Sequence, residues 1–542
     1  MKHAASQLLL IAPPGCGKTE VLAMRAEYLV NEGLVRPNRR LLAITYSKRA
    51  RDNMAQRIQN RLGYQRTKRF VTIQNFHGLA GRIVRAHGTT LGIPHDVEFP
   101  TRRWLASTMS KHTGDWDLKK ETDRLLRTLK SSAINDAHLH RLVVESKNDL
   151  AIEVEIERLK QNRLDYPDLL RHAQRLLLIP EISELYQQHF DALVVDEFQD
   201  LSTQQLDIVS RVCARNAIYV GDPLQGIYSW AGAEPETVLK SLTSRCSERI
   251  DLDISYRSSP QVLTMVNAAS SDLGAPPLSA ADPNAWVSPA GHALAFDFVD
   301  DSAEAAAITR VVTHINKEYP QESIGIITRS GFRRKLIDQE LATVENLPLQ
   351  VWDMALDTPG LLPILRRAAQ GIRRTPRIGD QLSMLRKRAV ELIGDDDVDT
   401  MNEMDDALQL LAERANSGDS IRDMLARFKE VSVSEEVGPG IHLLNAHIGK
   451  GQQFDWAIVI GLEEGHVPDF RSLSAQDYEE EERVLMVMLS RAKRGLIVTR
   501  VGSVTTQYGT KKPKKSSRWW TALEAVSESP SSAMLHVVNG TR

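Results

Sequence analysis

Apolar residues along this chain fall mostly into short unbroken runs and seldom alternate strictly with polar ones. Leu8–Ala12 is one such run, meeting a Pro/Gly turn, and Leu41–Thr45, Leu193–Val195 and Ala217–Val220 are others. Helix-like spacing separates them, as over Thr19–Val30 and in the segment running through Ile58. Continuous apolar strands alternating with helices predict a parallel sheet covered on both faces. The pattern then restarts. Residues around Ile250–Tyr256 and Ile324–Thr328 open a second α/β unit, and strand signals return at Ile441–Asn445, Trp456–Ile460 and Leu496–Thr499. Two stretches break the alternation. Phe99 to Asp191 is rich in Arg, Lys, Leu and Glu, and Leu362 to Val437 is helical and acidic, with Gly394-Asp395-Asp396-Asp397 inside it. The expected map is two α/β cores, each with a mainly helical insert. Residues 1–95 and 175–245 form the first core around an insert at 96–174. Residues 246–350 and 438–542 form the second around a reduced insert at 351–437.

Composition changes this picture little. At 542 residues the chain exceeds a single hydrophobic core, and 42% hydrophobic with 25% charged residues is ordinary globular composition. No apolar run approaches the ~20 residues of a membrane span, and the opening Met-Lys-His has no signal-like apolar stretch, so a cytoplasmic setting is expected. Three dispersed cysteines (Cys16, Cys213, Cys246) support neither a disulfide framework nor a metal cluster. A net charge of −2 offers no global attraction for nucleic acid, so any such site must be a local basic or aromatic groove.

The chemistry begins at Ala12-Pro13-Pro14-Gly15-Cys16-Gly17-Lys18-Thr19, a phosphate-loop pattern except for Ala at its first position. Gly15 and Gly17 let backbone N–H groups curl around phosphate oxygens, with Pro14 and Cys16 completing the cradle, and the following helix presents its positive end. Lys18 would reach the β/γ-phosphates and the Thr19 hydroxyl would ligate Mg²⁺. Downstream, Leu193-Val194-Val195-Asp196-Glu197 ends an apolar strand in two carboxylates. Asp196 is positioned for a Mg²⁺-bound water, and Glu197, alternating to the other side, for polarising the attacking water. A P-loop kinase would account for residues 12–19 but not for the motifs that follow.

Asp196-Glu197-Phe198-Gln199-Asp200 resembles the acidic box of the UvrD/Rep/PcrA group of superfamily 1 helicases. Other segments agree in order. Ala43–Ala50 resembles "VTFTNKAA", Thr72–Leu79 "GTFHGL", Val220–Ala233 "VGDDDQSIYGWRGA" and Ser255–Ser258 "NYRS". Later come His447–Phe454 for "HSAKGLEF", Gly461–Gly465 for "GMEEG", Glu480–Arg483 for "EEERRL" and Leu489–Ala492 for "VTRA". The resemblance implies two RecA-like P-loop NTPase cores and an ATP- and Mg²⁺-dependent motor moving 3′ to 5′ on single-stranded or tailed duplex DNA. By resemblance Gln225 senses the γ-phosphate from the first core. Arg257 and Arg491 reach it from the second, Tyr256 stacks on the base, and Gly451 and Gln453 lie near the sugar. Phe76, Tyr228 and Trp230 are the implied base platforms, with Thr45, His77 and His447 along the DNA path; for Phe76 simple core packing is the competing reading.

Three departures concern the base and sugar. Only eleven residues precede Ala12, so the upstream adenine-reading glutamine segment is missing or unrecognisable, and Gln7 stands too close to replace it. Glu20 replaces a usual arginine, and Gln453 a ribose-contacting glutamate. Other nucleoside triphosphates are therefore expected to substitute for ATP. The reduced second insert points to control by a partner such as a nuclease subunit, in DNA repair or anti-phage defence. A DNA-sensing ATPase subunit of a nuclease complex, with little unwinding of its own, is the alternative. Lys511–Arg518 is a basic run that reads equally as a solvated loop or as phosphate contacts.

Overall fold

A computed structural model describes residues 7–46, 48–100, 104–229, 232–288, 290–352, 361–373, 378–393, 404, 407–408, 411–412, 420–428, 437–506 and 509–541. The chain divides into two compact units, the first comprising the residues up to Pro13 and Gly17–Leu252, the second the residues from Asp253 onwards together with Pro14–Cys16.

The first unit is built on six parallel strands, β1 (Gln7–Ile11), β2 (Arg40–Thr45), β3 (Val71–Asn75), β4 (Phe190–Asp196), β5 (Ala217–Gly221) and β6 (Glu248–Asp251). Their spatial order is β3-β2-β4-β5-β1-β6. The apolar runs seen in the sequence are the central strands. β4 is buried at every position, because helices cover both faces of a parallel sheet. The segment around Ile250, expected to open the second unit, instead closes this sheet: Leu8 pairs with Glu248 and Ile11 with Asp251. Its sequence Glu-Arg-Ile-Asp is that of a short charged edge strand, the kind that resists further pairing. Phe76, Leu79, Ile83, Leu176, Val195 and Phe198 belong to the apolar core of this unit.

Six helices lie between Trp104 and His189. Leu126, Leu139, Val143, Leu150 and Val154 give them a small core of their own. Beneath it sits a buried charge cluster. Lys130, 0% exposed, donates to Glu155 (2.6 Å), Asp165 (2.5 Å) and Asp168 (3.2 Å). Arg158 reaches Asp168 Oδ2 (3.3 Å) and Arg171 reaches its Oδ1 (2.9 Å).

The second unit repeats the plan with β7 (His292–Phe298), β8 (Ser323–Thr328), β9 (Leu349–Val351), β10 (Gly440–Asn445), β11 (Phe454–Ile460) and β12 (Ala492–Val501). All six are parallel, in the order β9-β10-β8-β11-β12-β7. The fold is therefore two helix-covered parallel-sheet cores. Within the acidic stretch, the described residues include helices Leu361–Ala368, Ile378–Ile393 and Ile421–Arg427; the Gly394–Asp397 run lies outside the described residues. Among the described residues no helix is long and apolar enough to cross a membrane.

Candidate nucleotide and nucleic-acid site

In the first unit β1 runs directly into the phosphate loop, and the helix α1 (Lys18–Asn31) leaves it. Gly15 (φ +85°) and Gly17 (φ +79°) occupy the left-handed region, a conformation open to glycine at little cost. They turn the chain between strand and helix, so that Lys18 and Thr19 stand on the first turn of α1.

Beside the loop, strands β4 and β5 deliver acids at their C-terminal ends. Asp196 is the last residue of β4 and is buried. Burial pushes its carboxyl up to about 7, Glu197 adds to the rise, and Lys18 opposes it. Simple alternation would send Glu197 to the other side of the sheet. Instead it adopts φ +54° and ψ +51°, which returns its carboxylate to 3.9 Å from Lys18 Nζ. A glutamate in this region is held there against its own preference by its surroundings. Gln199 supplies part of the restraint: its Nε2 donates to the Glu197 carboxylate, and its Oε1 accepts from the Asp222 N–H (2.9 Å). Gln225 Nε2 donates to Asp222 Oδ2 (2.8 Å). Burial raises Asp222 too, against the pull of Lys18. Gly221, the last residue of β5, leaves room for this network: a Cβ there would lie 2.3 Å from Gln199 Oε1. Gln199 and Asp222 were not singled out in the sequence, although both fall inside the matched segments.

The structure therefore brings Lys18, Asp196, Glu197 and Gln225 of the expected set into one network. Several carboxylates packed round Lys18, two of them raised by burial, form an acid surplus of the kind a divalent cation relieves. Asp196 is one of these acids, and Thr19, the other expected metal ligand, stands on the first turn of α1. Among the described residues no group of three or more His, Cys, Asp or Glu could hold a metal by itself. An ion here would complete its shell with phosphate and water oxygens, as Mg²⁺ does beside nucleotides.

The expected DNA-contacting residues divide. Tyr228 stacks on Tyr46, with ring centroids 5.5 Å apart and planes 9° from parallel. Tyr46, not anticipated from the sequence, is raised to about 12, mainly by burial. Thr45 ends β2 and is buried; His77 is half-buried, edge-on to Tyr166. Phe76, expected as a base platform, is 2% exposed and lies in the core, so the core-packing reading describes it. Trp230 lies outside the described residues.

In the second unit the arginines converge. Arg491, 2% exposed, donates through Nε to Val487 O (2.7 Å), through Nη1 to Gln452 O (3.3 Å) and through Nη2 to Ser490 Oγ (2.8 Å). Arg257 Nη1 donates to the carbonyl of the same Ser490 (3.3 Å). Ser258 Oγ bonds Ala492 O, and the Ser259 N–H bonds Lys493 O, fixing one segment to the other. Tyr256 beside them is 76% exposed. Gly451 (φ +86°) turns the chain next to Gln452, leaving Gln453 half-buried. His447 sits apart from these groups. It accepts from Arg329 Nη1 (3.1 Å), and Arg329 is in turn clamped by Glu481 (2.8 Å). Burial foremost, with Arg329 and Lys450, holds His447 down to about 4.

Glu20 pairs with Arg57 (3.1 Å) and Arg61, and the Arg61 hydrogen bond holds its carboxyl below the usual range. In the basic run Lys511 pairs with Asp300 (2.5 Å) and Arg518 with Glu464 (3.1 Å), so part of that charge is already committed.

A phosphate loop and an acidic strand end on one parallel sheet, in a chain that also carries a second parallel-sheet core, define a P-loop nucleoside-triphosphatase of the two-core kind. The UvrD/REP helicase N-terminal domain matches residues 1–244, and the UvrD-like helicase C-terminal domain matches residues 376–503. The chain belongs to the UvrD/Rep/PcrA-like helicase family and is an enzyme of the DNA-dependent ATPase and helicase class. It is similar to DNA helicase II of Rickettsia typhi, with 25% identity covering 92% of this chain and 91% of the relative. It is also similar to DNA helicase II of Haemophilus influenzae, 23% identical over 91% of this chain and 81% of the relative. ATP-dependent DNA helicase PcrA of Staphylococcus aureus is 29% identical over 49% of this chain and 38% of its own length.

Proposed function

We propose that the chain is a 3′-to-5′ single-stranded DNA translocase and helicase driven by nucleoside-triphosphate hydrolysis, acting in DNA repair or anti-phage defence. The observation that carries this reading is the Lys18–Glu197–Gln199–Asp222–Gln225 network, which ties the hydrolytic carboxylate to the segment bearing Tyr228. Lys18 takes the β/γ-phosphates, and the loop N–H groups cradle them. Glu197 leaves Lys18 as phosphate arrives and orients the attacking water. Thr19 and Asp196 would hold Mg²⁺, whose chemistry is to neutralise charge on the phosphate oxygens. Gln225 senses the γ-phosphate, and Arg257 and Arg491, fastened to one another through Ser490, contribute transition-state charge from the second core. Gln225 and Tyr228 are three residues apart, so a change at the phosphate reaches the stacked Tyr228–Tyr46 pair over one short element. Stacking on a DNA base there would be worth about 1–3 kcal/mol.

The test is unwinding of duplexes carrying a 3′ or a 5′ tail, beside a Glu197→Gln control. Unwinding from the 3′ tail alone is expected; unwinding from the 5′ tail alone overturns the polarity. DNA-stimulated hydrolysis without strand separation would move the assignment to the sensing subunit of a nuclease complex. We also propose relaxed base choice, because Glu20 is committed to Arg57 and Arg61 and Gln453 replaces an acid. Steady-state hydrolysis of GTP and dATP within about tenfold of ATP is expected, a margin of ~1.4 kcal/mol; a strong preference for ATP sinks the idea. Control by a protein partner would be contradicted by a chain that is monomeric and fully active alone.

A further inference from the structure

No Asp or Glu occurs between Asp52 and Asp96. That acid-free stretch builds one edge of the first unit: the helix Tyr64–Phe70, the edge strand β3 and the helix Phe76–His87. Arg66, Lys68 and Arg69 are exposed on the first helix, and Arg82 and Arg85 on the second. Against β3 lies a cavity of about 440 Å³ lined by Arg40, Val71, Thr72, Ile73, Gln74, Arg82 and His189, with no carboxylate in the lining.

Arg40 is the fixed element. Its Nε donates to Thr72 Oγ1 (2.7 Å), and its Nη2 to Val71 O (2.6 Å) and Lys68 O (2.8 Å). These neutral acceptors orient the guanidinium but leave its charge unbalanced. Burial and Arg82 both weigh against that charge, and burial and Arg40 weigh against a proton on His189. Among the described residues no salt bridge pairs a carboxylate with Arg40 or Arg82. Charged side chains commonly guard an exposed sheet edge, but a solvated lysine suffices for that. An arginine turned inward, oriented by three bonds and facing a second arginine across a hollow, is an arrangement that an anion stabilises.

We propose that this cavity is an oxyanion site for a phosphate group, separate from the nucleotide loop. The separation follows from strand direction. Arg40 and Val71 are the first residues of β2 and β3, and His189 immediately precedes β4, whereas the phosphate loop follows the end of β1 and Asp196 ends β4. The sites thus lie at opposite ends of strands 5 to 7 residues long. The phosphate belongs either to a DNA backbone or to a free phosphate ion, and the two sources can be separated.

Inorganic phosphate is titrated calorimetrically into the full chain carrying Lys18→Ala, which weakens the nucleotide loop, and into the same chain with Arg82→Gln and His189→Gln added. Both added changes are at exposed positions, and circular dichroism checks that the fold is kept. Binding in the first protein and at least a tenfold loss in the second is the expected result. Equal binding in both, or none in either, overturns the proposal. Arg82→Gln alone, in the otherwise unchanged chain, is then tested on tailed duplex DNA across a salt series. A fall of about 0.7–0.9 in the log–log salt slope identifies a backbone phosphate. An unchanged slope, with phosphate binding still lost, identifies the free ion.

Discussion

Glu197 shows how much of the site is set by a single backbone choice. With φ at +54° its carboxylate stands 3.9 Å from Lys18; in an extended conformation it would follow the strand to the far face. Replacing Glu197 by Gln keeps size and turn but removes the base. Hydrolysis is expected to fall by about 10²–10⁴-fold while nucleotide affinity stays within a few-fold, measured by steady-state turnover and by nucleotide titration. An equal loss of both would show that the carboxylate builds the loop and has no role in hydrolysis. The positions of Lys18 and Thr19 at a strand-to-helix turn were legible because a phosphate loop must use glycines, a lysine and a hydroxyl at fixed spacing, and that of Asp196 because it ends an apolar run. The turn at Glu197 was not, since its cause lies in Gln199 and Asp222. Nor was the burial of Phe76, because an aromatic in a DNA-contact motif and an aromatic in a core have the same one-letter signature.

Among the elements, the largely buried strands were the easiest to read. β2, β4, β5, β8, β10 and β11 are continuous apolar runs because helices cover both their faces. β6 misled because only one of its four positions is even half-buried. The buried charge cluster under the helical insert was invisible for a different reason: Asp165 and Asp168 share the capping box of one helix, but no spacing rule connects that pair to Lys130 or Glu155 on other elements. Lys130→Met fits the volume but leaves three buried acids short of a cation. We expect a loss of about 3–5 kcal/mol, read as a lower urea midpoint and as early proteolysis between residues 104 and 189. If the midpoint does not move, the cluster is not what fastens these helices.

For the molecule as a whole, desolvated histidines and desolvated carboxyls pull the response to acid in opposite directions. Burial foremost holds His172 and His466 down to about 3 and His447 to about 4. In the unfolded chain the same side chains titrate near about 6.5. As pH falls through that value the unfolded state takes up protons that the folded state refuses, so the histidines' contribution to stability drops steadily from about pH 6.5 towards 4. Asp165, Asp196 and Glu482, all pushed up to about 7, act in the opposite sense over this window, because there the folded state takes up protons that the unfolded state does not; Asp168, held well below its usual range, responds only below it. Urea midpoints measured at pH 7, 6, 5 and 4 should therefore shift in favour of His466→Gln relative to the unaltered chain as the pH falls. A difference between the two chains that stays constant over that range would contradict the assignment of His466 as desolvated and neutral.

The strand order of the first sheet also governs how the protein is made. β1 is flanked by β5 and β6, so Gln7 pairs with Ala217 and Leu8 with Glu248. The strand that carries the phosphate loop is synthesised first of the three, and its neighbours are translated more than two hundred residues later. At ordinary elongation speeds that interval is about 10–40 s. Throughout it, an apolar strand and a glycine-rich loop remain without their sheet, and the nucleotide site takes shape only near the completion of the first unit. A nascent chain of this protein is thus a client for whatever shields apolar segments at the ribosome, and its exposure is fixed by topology, whatever its final stability.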